Sequence, residues 1–153
     1  MMRILIDADG CPVVGIAVNA GSGAGIECII ICDTAHVYEL EDAKTVTVSK
    51  GADSADFALV NMLEAGDIVV TQDYGLAAMA LARKGIPLTH NGLIINELNI
   101  ESLLEQRHIS KKIRSAGGRL KGPSKRIPEQ DKAFLSSLER LIQGSKDESD
   151  NFL

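Results

Sequence analysis

Five aspartates fall where the chain could gather them. Asp7 and Asp9 lie in Ile6-Asp7-Ala8-Asp9-Gly10, Asp53 and Asp56 in Asp53-Ser54-Ala55-Asp56, and Asp73 closes Thr71-Gln72-Asp73. Carboxylates that converge repel one another strongly unless a cation neutralises them. Hard oxygen donors suit Mg²⁺ or Mn²⁺ rather than zinc. Asp7, Asp9, Asp53, Asp56 and Asp73 are therefore the expected metal ligands. Plainer roles compete for four of them. Asp53 fits a helix N-cap, with Asp56 favouring the positive end of the same helix. Asp73 can cap a helix starting at Tyr74, and Asp9 can serve a turn before Gly10. Asp7 has no such alternative, because it follows a buried run before any helix has begun.

Those acids converge only if particular elements carry them. Arg3-Ile4-Leu5-Ile6 is an apolar run ending at Asp7 and reads as a buried strand. Pro12 suits a helix start, Val13 to Asn19 follows, and Gly21-Ser22-Gly23-Ala24-Gly25 reads as the turn that stops it. Ile26 to Cys32 is a second strand, Ala35 to Ala43 a loop, and Lys44 to Ser49 an alternating third strand. Asp53 to Ala65 reads as a helix with Phe57, Val60 and Leu63 turned inward, ended by Gly66. Ile68 to Thr71 is a fourth strand, Tyr74 to Lys84 a helix closed by Gly85, and Ile86 to Leu88 a fifth strand. Alternation of this kind predicts an α/β domain: a central, mostly parallel sheet flanked by helices in three layers. Such a sheet puts Asp7, Asp53, Asp56 and Asp73 at its carboxyl edge, where open α/β sheets carry their sites.

Past residue 96 the character changes. Asn96 to Ser115 is helical and increasingly basic, Gly117-Gly118 and Gly122-Pro123 mark a loop, and Pro128 to Ile142 is a last helix with Phe134, Leu135, Leu138, Leu141 and Ile142 as its stripe. Residues 1–145 are expected to form one domain that includes this basic helix-loop-helix segment, with 146–153 a polar tail.

The chain has 153 residues, 45% of them apolar, and a net charge of −5. That charge is unevenly placed. Eight of the 16 basic residues lie between Arg107 and Arg126 with no acid among them, and the remainder carries a net of −13. An acidic body with one basic strip can hold metal at one place and phosphates at another. Arg114, Arg119, Lys121, Lys125 and Arg126 are the candidate phosphate contacts, in a salt-sensitive and sequence-neutral mode. The plainer alternative is a solvated basic segment. With no Trp and five other aromatics, base-stacking platforms are scarce.

No apolar run is long enough to span a bilayer, and MMRILIDADG lacks the long apolar stretch and cleavage site of a signal peptide. Three cysteines without a paired pattern fit a reducing compartment, so a cytoplasmic location without membrane association is expected. Cys11 beside the acids reads as a structural thiol rather than a ligand, and Cys28 and Cys32 as core. His36, His90 and His108 show no zinc spacing and read as surface or loop residues.

Ile4-Leu5-Ile6-Asp7-Ala8-Asp9-Gly10-Cys11-Pro12-Val13 resembles the opening of the YaiI/YqxD family of bacterial proteins. The resemblance continues at Ala52-Asp53-Ser54-Ala55-Asp56, Gly66-Asp67-Ile68-Val69-Val70-Thr71-Gln72-Asp73, Leu76-Ala77, Arg114-Ser115-Ala116-Gly117-Gly118, Gly122-Pro123 and Asp131-Lys132 with Phe134. The family is similar to PIN-like domains. Nucleases of that type bind one or two divalent ions with an acid after strand one, acids on a central helix and an acid after a later strand. The resemblance thus implies Asp7, Asp56 and Asp73 as catalytic ligands, with Asp53 alongside, Asp9 in an outer position, and Thr71 bonding a ligand carboxylate or the water. It implies metal-assisted hydrolysis of RNA or DNA.

Two other readings fit parts of the chain. Asp7-Ala8-Asp9-Gly10 fits the first motif of haloacid dehalogenase-type phosphohydrolases, with Asp7 as nucleophile and Asp9 as acid-base, though no convincing later lysine motif follows. The basic strip alone also suits a non-catalytic RNA-binding module.

Overall fold

The computed structural model describes residues 2–33, 40–49, 54–118 and 125–151, the last four by backbone alone. Apolar runs without alternation make strands that are covered on both faces. Ile4–Asp7 (β1), Cys28–Asp33 (β2), Lys44–Val48 (β3), Ile68–Val70 (β4) and Ile86–Leu88 (β5) form one sheet in the order β3-β2-β1-β4-β5. All four pairings are parallel, so the sheet is wholly rather than mostly parallel. Ile4 pairs with Cys28 on one side and Ile68 on the other, which brings the carboxyl ends of the strands to one edge.

Side-chain alternation divides the core in two. Ile4, Ile6, Ile30, Cys32 and Val70 face the helices Val14–Gly23 (α1) and Pro128–Asn151 (α5), packing on Val14, Val18, Phe134, Leu138 and Ile142. Leu5, Ile29, Ile31 and Val69 face Ser54–Met62 (α2) and Tyr74–Ala82 (α3), packing on Leu59, Leu63, Leu76 and Ala80. The result is the three-layer α/β architecture expected of the sequence. The remaining helix, Ile100–Ser115 (α4), packs on α3 and buries none of its own residues. No helix among the described residues is long and apolar enough to cross a membrane.

At the amino edge, Asp67 is fully buried and takes bonds from the Arg3 backbone N–H (3.0 Å), Arg3 Nη2 (2.7 Å) and the Glu64 N–H (2.9 Å). This pair ties the start of β1 to the start of β4, and with them the two strands whose far ends carry Asp7 and Thr71.

Several elements depart from expectation for identifiable reasons. The glycine-rich stretch at 21–25 is not a turn throughout: α1 runs on to Gly23, and Gly25 follows with φ +73°. Gly21 is buried inside the helix because a Cβ there would overlap Cys28 Sγ and lie 3.1 Å from Ile4 Cδ1. Its missing side chain serves close packing of helix on sheet. Phe57 is exposed, not inward, and Leu59 takes the core position on α2. Lys84 rather than Gly85 adopts the left-handed conformation after α3 (φ 63°). The basic helix starts at Ile100, because Asn96 Oδ1 accepts the N–H groups of Leu98 and Asn99 and holds a turn ahead of it. Residues 146–151 continue α5 as helix instead of forming a tail.

Candidate active site

The chain winds outward from β1 through β2 to β3, then crosses back to lay β4 and β5 on the other side. The reversal lies between β1 and β4, and ligands of open α/β sheets bind at such a switch point. A hollow of about 510 Å³ opens at this edge, lined by Asp7, Asp9, Asp33, Asp56, Asp73 and His90, with Gly10 and Gln72 between them. Asp7 ends the central strand, Asp33 ends β2, Asp56 stands in the first turn of α2, and Asp73 follows β4.

Asp7 is mostly buried, and burial is the main reason its carboxyl is pushed above the usual carboxylate range. The hydrogen bond from Thr71 works in the opposite direction, and the charges of Asp73 and Asp9 raise it further. Asp7, Asp9, Asp56 and Asp73 line the one hollow. Thr71 is fully buried; its hydroxyl donates to Asp7 Oδ2 (2.8 Å) and accepts the Asp73 backbone N–H (3.0 Å).

Asp73 does perform the plainer role considered for it. Its Oδ1 accepts the N–H groups of Gly75 (2.9 Å) and Leu76 (3.2 Å) and so caps α3. Capping occupies one oxygen and leaves the residue on the wall of the hollow. Arg107, on α4, stands 3.6 Å from that same oxygen.

In kind, a set of carboxylates fits a hard divalent cation. In spacing, no three His, Cys, Asp or Glu among the described residues are grouped closely enough to hold one ion. Asp53 lies outside the described residues, as do Arg119, Lys121 and His36. Arg114 lies beside the acids, on a second hollow that shares Gln72 and Asp73 with the first. Lys125 is exposed. Arg126 is not available to phosphate in the way expected: its guanidinium bonds Asp131 Oδ1 (2.7 Å), Asn91 Oδ1 (2.8 Å) and the His90 carbonyl (2.7 Å). It acts as a clamp between the start of α5 and the turn after β5. Cys11 is half-buried and its thiol is pushed up to about 11, chiefly by burial, so it stays protonated and unreactive at neutral pH.

Two site residues were not foreseen. Asp33 closes an apolar strand as Asp7 does, and that position was the available signal. His90 reads from sequence as an ordinary loop residue, yet it lines the hollow. Its backbone N–H bonds Gln72 Oε1 (3.1 Å), Arg126 holds its carbonyl, and its Nε2 is buried without a hydrogen-bond partner among the described residues. Burial first, and Arg126 second, lower its imidazole to about 4, so it is neutral at pH 7. No sequence spacing points to this, because three separate elements set it.

A family model described as "Uncharacterized BCR, YaiI/YqxD family" matches residues 5–144. The UPF0178 protein of Exiguobacterium sibiricum is 49% identical over 146 residues, covering 95% of this chain and 100% of that relative. The UPF0178 protein of Ruminiclostridium cellulolyticum is 49% identical over 144 residues and 93% of each chain. Among solved structures, Rae1 (YacP) from Bacillus subtilis is similar with a TM-score of 0.45 and 14% identity, over 97% of this chain and 99% of that one. With the match running from β1 into α5 and full-length relatives near half identity, the chain belongs to the YaiI/YqxD family.

Proposed function

We propose that the hollow at the switch point is the active site of a metal-dependent nuclease or phosphodiesterase acting on RNA or DNA. One observation carries the reading: Asp7 and Asp73, from the ends of two adjacent strands, share a hollow with Asp9, Asp33 and Asp56. Asp7 and Asp73 would hold Mg²⁺ or Mn²⁺ with waters completing its shell, and Asp9, Asp33, Asp53 and Asp56 would act on it from further out. Such an ion, when bound, lowers the pKa of a water and offsets charge building on the scissile phosphate. Thr71 orients the Asp7 carboxylate by its hydrogen bond. His90 presents a neutral ring that can donate or accept one hydrogen bond at the wall of the same hollow. The phosphohydrolase alternative, with Asp7 as nucleophile and Asp9 as acid-base, gives Asp56 no part in the chemistry.

Purified protein incubated with Mn²⁺ and labelled single strands tests the proposal. Wild type is expected to cleave, and Asp7→Asn to lose at least a hundredfold in rate, within the range of one electrostatic contribution to a transition state. No cleavage by wild type, or equal cleavage by Asp7→Asn, refutes it.

A further inference from the structure

Beside the acidic hollow lies a second one of about 370 Å³, between the start of α3 and the middle of α4. Gln72 and Asp73 line both, so the two adjoin at the amino end of α3. The chemistry changes across that shared wall, from carboxylates on one side to Arg107 and Arg114 on the other, with Tyr74 and Gln106 between them. Resting on the nuclease reading above, we infer that this cleft seats the nucleotide adjoining the scissile phosphate in a single strand. Arg107 and Arg114 take the phosphate and Tyr74 takes the base.

Arg107 has no sufficient structural duty. Its contact with Asp73 is long, at 3.6 Å, and its side chain is 58% exposed; exposed pairs of this kind contribute little to stability. Arg114 has no ion-pair partner among the described residues and stands two turns further along the same helix. Ile100, Leu103 and Leu104 at the start of α4 are half-buried, whereas its later part, which carries Arg107 and Arg114, is mostly exposed. That part presents a basic edge to the cleft. Two guanidinium groups beside an acidic hollow separate the sites for phosphate and for cation, which one acidic pocket cannot provide. Tyr74 is one of the five aromatics of the chain, and it is half-buried in this wall. A ring so placed stacks on a base that has left a helix, whereas bases within a duplex have both faces covered. That selects single strands.

Fluorescence anisotropy in EDTA separates binding from cleavage. The probe is a short labelled single-stranded RNA or DNA, with its duplex for comparison. Arg107→Ala/Arg114→Ala is expected to weaken single-strand binding at least tenfold. It is also expected to flatten the slope of log Kd against log salt by about 0.7 for each phosphate no longer neutralised. Tyr74→Ala is expected to cost about tenfold on the single strand, Tyr74→Phe almost nothing, and neither to alter duplex binding. Arg140→Ala, in a separate hollow between α1 and α5, is expected to bind as wild type. If the double arginine variant binds as wild type while Asp7→Asn still abolishes cleavage, the cleft assignment is wrong and the acidic site stands. If the arginine and tyrosine effects appear but nothing cleaves with Mn²⁺, the cleft stands and the hydrolytic reading falls. Duplex bound more tightly than single strand, or an equal Tyr74→Ala effect on both, overturns the assignment to single strands.

Discussion

The Thr71 hydroxyl donates to Asp7 Oδ2 at 2.8 Å and, through its other side, accepts the Asp73 backbone N–H at 3.0 Å. One buried side chain thus orients one acid directly and the next through its main chain. Thr71→Val keeps the shape and removes both bonds. It is expected to cost about 1–3 kcal/mol in urea unfolding, since the Asp73 N–H is left without its acceptor, and to lower cleavage about tenfold. Thr71→Ser is expected to restore most of both. Full stability and activity in Thr71→Val, or a loss in Thr71→Ser as large as in Thr71→Val, would contradict a role resting on the hydroxyl.

Asp7→Asn is expected to stabilise the protein while removing its activity. Because the carboxyl of Asp7 is raised in the folded state, chiefly by burial, the native protein binds its proton more readily than the unfolded chain does. Stability from this group is therefore present at low pH and lost as pH rises through the raised value. At neutral pH the ionised acid is a cost that Asn removes. A rise in Tm at neutral pH is expected in thermal melting, and it should shrink as the pH is lowered. A fall in Tm would contradict the burial argument.

His90 works in the opposite sense. Its pKa falls from 6.5 to about 4 on folding. Below pH 6.5 the unfolded chain takes up a proton that the native state refuses, so stability is lost progressively down to about pH 4 and no further from this group. Allowing for its partial exposure, the loss amounts to about 1–2 kcal/mol. Comparing urea unfolding of wild type and His90→Gln at pH 7 and pH 4.5 measures it, and identical pH dependence of the two proteins would refute it.

Gly92 supports the turn that follows His90. It has φ +90°, and a Cβ there would lie 2.5 Å from the Ala133 carbonyl oxygen on α5. Gly92→Ala is expected to cost about 2–4 kcal/mol, from left-handed strain and a backbone clash together. It is also expected to displace His90 and reduce cleavage. Full stability in this variant would mean that α5 shifts readily.

The strands, and the placing of Asp7, Asp9, Asp56 and Asp73 around one hollow, were legible in the sequence because each rests on a local pattern. Ile4-Leu5-Ile6 and Ile68-Val69-Val70 are uniformly apolar because both faces are covered, and Asp7 and Thr71 stand where those runs end. Gly21 was not legible, since the same residue type makes a turn or admits a close neighbour, and only the position of Cys28 decides. Phe57 misled because hydrophobicity alone does not say which face of a short helix meets the sheet. Arg126 looked like a phosphate contact because its partners, Asn91 and Asp131, lie 35 and 5 residues away and are aligned only by packing of α5. The same distant packing gives His90 its place.

Diffraction from a crystal of the protein soaked in Mn²⁺, recorded at a wavelength where manganese scatters anomalously, tests the central claim most directly. A peak in the hollow within coordination distance of Asp7 is expected, with loss of that peak in Asp7→Asn. No peak there under the conditions of the cleavage assay, or one that persists unchanged in Asp7→Asn, would contradict a cation site built on these acids.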